Sequence, residues 1–168
     1  MRLIYSLFFI IFLNISCKSQ TTSKNDTAFN FFEITFYSSE CNGTCPDITM
    51  NINSERKTQL IRQVFKSKGV IDNSKSGGFK GELSQKDFDK LILLIKEIDW
   101  DHIEWPKVKC CDLPIKTVMV GINGFTKNFK SMQWPKEANK LIEFLTELGT
   151  GVKLPKYSGP MDFEVMTD

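Results

Sequence analysis

The sequence predicts an α+β domain: a mainly antiparallel sheet of about five strands with two helices packed on one face, in the order βββαββα. Three observations carry this. Two stretches alternate apolar and polar residues around a short Cys/Gly turn, two later stretches repeat apolar residues at helical spacing, and an Asn-Gly pair joins two further alternating runs.

The first strand is FFEITFYS, where Phe32, Ile34 and Phe36 alternate with Glu33, Thr35 and Tyr37. After CNGTCP, DITMNIN sets Ile48, Met50 and Ile52 against Thr49, Asn51 and Asn53. This is the second strand of a hairpin. The segment 58–65, TQLIRQVF, fits neither period cleanly, and a third strand is the economical reading after two antiparallel ones. DNSKSGGFKGELS follows, with glycines at 77, 78 and 81 that mark turns.

The first helix opens at Ser84, with Asp87 three residues on as the partner of a capping box. Phe88, Leu91, Ile92, Ile95 and Ile98 then form its buried face. Between the helices, KTVMVGINGFTKNFKSM reads as a hairpin, because Asn123-Gly124 supplies the positive φ angles of a two-residue turn. The second helix has Pro135 in its first turn, an apolar face of Ala138, Leu141, Ile142, Leu145 and Leu148, and Gly149 as its terminator. The tail 151–168 is punctuated by Pro and Gly and is expected to be weakly ordered or to lie along the surface.

The N-terminus sets the expected compartment. Arg2 precedes an apolar run from Leu3 to Leu13, too short to span a bilayer and of the length of a secretory signal. NISC and the polar stretch KSQTTSKNDT come next, so Ser16-Cys17 stands between the apolar run and a flexible tether. This resembles the signal peptide of a bacterial lipoprotein, although Leu13 lies one residue further from Cys17 than the usual leucine and Asn14 takes its place. The resemblance implies a signal peptide over 1–16, a lipid on Cys17, a tether over 17–28 and a domain over 29–150, held at the bacterial cell envelope facing the periplasm or the cell surface. Ordinary cleavage after Ser19, with Cys17 removed, is the alternative. A diacylated cysteine anchors stably where one acyl chain does not.

Composition narrows the function classes. About 150 residues remain after processing, enough for one core and too few for two. The 22 basic and 20 acidic residues are interspersed, for a net charge of +2, so no basic face recommends nucleic acid.

CNGTCPDITMNI after a Phe-rich strand, then GGFKGELSQKDFDKL, then CCDLPIKTVMVGING, resemble a bacterial envelope-protein family known as a domain of unknown function, the one numbered six-four-three-eight. Its pattern is C-x-G-T-C-P after the first strand, a glycine-containing strand leading into a helix, and an aspartate, here Asp112, before a later strand. The resemblance runs from about Phe31 to Leu148. It implies a compact extracytoplasmic module and brings no activity, catalytic residue or cofactor.

Four cysteines besides Cys17 fall in two pairs, Cys41/Cys45 and Cys110/Cys111. In an exported protein, disulfides are the default. A Cys41 to Cys45 bond is sterically open because Gly43 lets the chain fold back, and bonds joining the two clusters avoid the strained ring of vicinal Cys110 and Cys111. A tetrahedral zinc or soft copper site and a redox pair are both open and neither is favoured, since C-x3-C is a less usual ligand spacing and the pair lacks the helix N-terminus that lowers a thiol pKa.

His102, between Trp100 and Trp105, has no nucleophile-bearing motif beside it, so no catalytic residue is assigned. Trp100, His102, Trp105 and Asp112 are candidate binding residues, with Trp134 a third tryptophan for an aromatic platform, against the plainer reading of core-edge packing. Asp99, Asp101, Glu104 and Asp112 read as a solvated loop rather than a cation site. No cofactor is expected. The sequence points to a non-enzymatic binding or structural module with an unknown protein or small-molecule partner, the alternative being a thiol-dependent envelope protein handling redox equivalents or a soft metal.

Overall fold

The structure, a computed structural model, describes residues 29–107 and 112–163. Its elements are β1 (Phe31–Ser38), β2 (Asp47–Asn53), β3 (Lys57–Gln63), β4 (Phe65–Ser67), β5 (Val70–Ile71), β6 (Gly77–Glu82), α1 (Gln85–Lys96), β7 (Lys116–Ile122), β8 (Phe125–Ser131), a 3₁₀ turn (Lys136–Ala138) and α2 (Asn139–Gly151). Six strands form one antiparallel sheet in the order β6-β3-β2-β1-β7-β8, and β4 and β5 make a small separate ribbon.

The expected α+β plan with an antiparallel sheet and two helices is present, and the count of about five strands is corrected to six plus the ribbon. The additional main strand is β6. Its glycines, read as turn signals, are extended because the chain after α2 runs directly beside them. A Cβ on Gly78 would stand 2.5 Å from the Tyr157 carbonyl oxygen, and one on Gly81 would stand 3.1 Å from Leu154. The family pattern's glycine-containing strand is thus the better reading of this stretch.

In register, Ile34, Phe36, Ile48, Met50, Ile52, Leu60, Val118 and Val120 share one face of the sheet and are at most 1% exposed. Both helices lie over this face. Phe88 of α1 meets the Phe31 ring edge-on at 5.9 Å, and α2 approaches so closely at Gly149 that a Cβ there would be 2.7 Å from Ile48. Gly149 therefore does not terminate the helix, which runs on to Gly151. At α2's C-terminal end, buried Arg62 donates to the carbonyls of Gly149 (3.1 Å) and Val152 (3.4 Å) and stacks over Phe79, placing a cation where the helix dipole is negative.

Local signals account for the remaining ends. Ser84 Oγ accepts the Asp87 amide at 3.1 Å as the N-cap of α1. The β7–β8 turn has positive φ at Asn123 and Gly124. In β1 the expected alternation slips, because a bulge between Phe31 and Glu33 buries Phe31 and leaves Phe32 exposed. No helix among the described residues is long and apolar enough to cross a membrane.

Candidate functional site

Two features stand out from the packed core: the CNGTC loop at one end of the sheet, and the sheet face that the helices leave uncovered.

The loop follows β1 and is built on consecutive left-handed residues, Asn42 (φ 40°) and Gly43 (φ 72°). They turn the chain back so that the amides of Thr44 and Cys45 both donate to the Cys41 carbonyl, at 2.9 and 3.4 Å. The Thr44 hydroxyl donates to the same oxygen at 3.4 Å. Cys41 and Cys45 are thereby brought to a Cα separation of 5.0 Å and joined as a disulfide. Gly43 is required twice: its φ favours glycine, and a Cβ would stand 3.0 Å from the Gly69 amide nitrogen, which donates to the Gly43 carbonyl at 2.9 Å. The disulfide loop thus braces the β4–β5 ribbon against the end of the sheet.

The uncovered face is mostly polar, with Tyr37, Ile61 and Met119 in register among its polar residues, and is still close-packed. Thr35, Thr49, Asn51 and Thr117 are each at most 9% exposed. The Asn51 amide donates to Thr35 Oγ1 (3.0 Å), its directly opposite cross-strand partner, and to Glu33 Oε2 (3.1 Å). Beside this ladder lies a cleft of about 770 Å³ whose lining includes Glu33, Asn51, Asn53, Gln59, Lys80 and Asp162.

The C-terminal segment contributes Asp162 to the cleft. Leaving α2, it passes the β6 edge with Lys80 N–H donating to Pro155 (3.1 Å) and Tyr157 N–H donating to Gly78 (2.9 Å). It then turns onto the open face, where Asp162 meets Lys80 Nζ at 2.7 Å and donates its amide to Gln59 Oε1 at 2.9 Å. Residues 152–163 of the tail lie along the surface. The Lys80 hydrogen bond holds the Asp162 carboxyl below the usual carboxylate range, and Asp162 in turn raises the Lys80 ammonium. Across the rim, Arg56 pairs with Glu82 and Lys57 with Glu55.

The structure separates the residues singled out from sequence. Trp100 is core, 6% exposed, with its indole N–H donating to the Ile95 carbonyl at 2.9 Å, so it has no free edge for a ligand. Half-buried Trp105 stacks on Phe129 with centroids 5.2 Å apart, and Phe129 also touches Trp100 at 5.6 Å, so these two tryptophans meet around one ring. Trp105 Nε1 is buried with no partner among the described residues. Trp134 lies under the buried Lys116 ammonium at 4.6 Å. His102 is exposed, its Nδ1 2.9 Å from Asp99 Oδ2, and Asp101 binds Lys127 at 2.7 Å. Asp112 is exposed on a turn. Among the described residues, no group of three His, Cys, Asp or Glu side chains is placed to hold a metal ion. Cys17, Cys110 and Cys111 lie outside the described residues.

Compared with protein families, residues 32–149 match Domain of unknown function (DUF6438). The chain belongs to DUF6438. Among curated proteins none matches it. The DUF6438 match runs from within β1 to within α2, so it takes in nearly the whole sheet, the disulfide loop and α1, while the segment that brings Asp162 to the cleft follows it in sequence. In this DUF6438 chain Cys41, Gly43, Thr44 and Cys45 of the C-x-G-T-C-P stretch thus have an explanation in the loop's geometry, anticipated in part through Gly43. The reading missed Gln59, Asn51, Lys80 and Asp162. Asn51 was legible as an outward strand position, whereas the meeting of Lys80 with Asp162 joins residues 82 apart and leaves no local signal.

Proposed function

We propose that the protein is an exported, lipid-anchored binding module of the bacterial cell envelope, without catalysis of its own, whose contact surface is the open polar face of the sheet. The observation that carries this is the cleft: a rigid antiparallel sheet presents polar side chains whose hydrogen bonds run sideways along the face, as Asn51 to Thr35 and Glu33. Such a surface meets a polar partner without stranding buried donors or acceptors. The short apolar N-terminal run, Cys17 and the polar tether support placement at a membrane, facing the periplasm or the cell surface.

The test is in-cell photo-crosslinking of the full-length chain from Asn53 on the open face, with exposed Lys90 on α1 as the comparison position. Specific adducts from Asn53 and few from Lys90 are expected, and adducts confined to Lys90 would remove the reading. Separately, Cys17→Ala is expected to move the protein out of the membrane fraction. Retention there would sink the lipid anchor while leaving the contact surface standing.

A further inference from the structure

We infer that the open-face cleft recognises an acidic peptide segment of a partner protein, and that the chain's own segment around Asp162 occupies the place of that ligand. The inference rests on reading the open face as the contact surface.

The bound segment shows what the site selects. Asp162 is held at two points: its carboxylate by Lys80 Nζ (2.7 Å) and its backbone N–H by Gln59 Oε1 (2.9 Å). Together these read an acidic side chain and the peptide bond that carries it. The other rim charges are engaged elsewhere, since Lys57 pairs with Glu55, Glu82 with Arg56, and Glu33 accepts from Asn51. Among the described residues, the acidic partner of Lys80 comes from the tail. The Tyr157 ring beneath the same ammonium, 5.3 Å from Nζ, completes a cation seat.

The hold on Asp162 is also light. Up to Tyr157 the segment is fixed by backbone hydrogen bonds to β6, and Gly78 gives it room. Past Tyr157, Asp162 is held by one ion pair and one hydrogen bond from its backbone amide to the Gln59 side chain, and its side chain is 69% exposed. Exposed ion pairs contribute little to stability, so a partner's acidic segment need overcome only a small internal competitor before it takes the same two contacts. Charge complementarity with Lys80 and the seat already filled by an aspartate favour a peptide over a neutral polymer such as a polysaccharide.

The experiment uses the detergent-solubilised full chain and a fluorescent peptide, Tyr-Ser-Gly-Pro-Met-Asp-Phe, which repeats residues 157–163. Binding is read by anisotropy, with thermal melts confirming that each variant folds. Asp162→Asn empties the Lys80 seat of its carboxylate and is expected to bind the peptide about two- to five-fold more tightly than the unaltered chain. Lys80→Gln in the same background should abolish the gain, Lys80→Arg should keep it, and a peptide with Asn in place of Asp should bind at the Lys80→Gln level. No peptide binding, or binding indifferent to Lys80, overturns the inference. Crosslinks from Asn53 that persist alongside that result would mean that the face takes a ligand of other chemistry. Loss of those crosslinks as well would bring down the broader reading.

Discussion

The two faces of the six-stranded sheet are made by the same strands from alternate residues, and both are largely closed to water. On one, Ile34, Phe36, Met50 and Val118 are at most 1% exposed beneath two helices. On the other, Thr35, Thr49 and Thr117 are at most 5% exposed with no helix over them. Burial on the first face removes apolar surface from water and drives folding. Burial on the second includes polar groups given lateral partners, as Asn51 to Thr35 and Glu33, which is compatible with a polar partner when the face is covered. Low exposure alone therefore does not mark the core.

The largest effect that tests this division is expected on the covered face. Phe36→Ala should lower stability by about 3–5 kcal/mol in urea denaturation, because the ring is fully buried and its neighbours are fixed in a sheet. The disulfide loop comes next. Replacing Cys41 and Cys45 together by serine frees a short loop and should cost about 2 kcal/mol on the chain-entropy estimate, relative to the oxidised protein. An unchanged melt would mean that the bond does not stabilise the end of the sheet. On the open face, Asn51→Val deletes two side-chain hydrogen bonds, of which exposed Glu33 can turn to water while buried Thr35 Oγ1 loses its partner, for a loss of about 1–2 kcal/mol. A loss as large as that of Phe36→Ala would make the open face a second core and erase the distinction.

The sequence made one face legible and hid the other's use. Period-two patterns located β1, β2 and β7, because each places large apolar side chains every second residue, and the Ser84 cap and Asn123-Gly124 turn depend on neighbours a few positions away. Gly43 was readable for the same reason. Where a residue's role is set by a distant segment, local rules misread it. Gly78 and Gly81 look like turn residues until Tyr157 and Leu154 are laid over them, and Gly149 looks like a helix stop until Ile48 fills the space where a side chain would be. The bulge at Phe31 and Glu33 shifts which phenylalanine is buried without changing the apolar count that pattern-reading uses. Trp100 and Trp105 flank the only histidine and so suggested a site, yet the ring that organises them is Phe129, on a different strand.

The smallest expected effect is also the most local. Asp162 has a carboxyl pKa lowered first by its hydrogen bond to Lys80, so the contact's contribution is present above the ordinary aspartate range and fades as pH falls through the lowered value. Lys80 is shifted upward by the same bond, so at the alkaline end the contribution is present below the ordinary lysine range and is lost only as pH rises through the raised value. The segment should therefore stay seated across neutral pH and loosen in acid. A carbon-detected NMR titration of Asp162 should show a midpoint below that of an unpaired aspartate, returning towards it in Lys80→Gln, while global stability near neutral pH hardly moves because both partners face solvent. If the midpoint is indifferent to Lys80, the internal carboxylate is not held by that ammonium, and the open face loses the one contact that separates a seat for an acidic peptide from a merely polar surface.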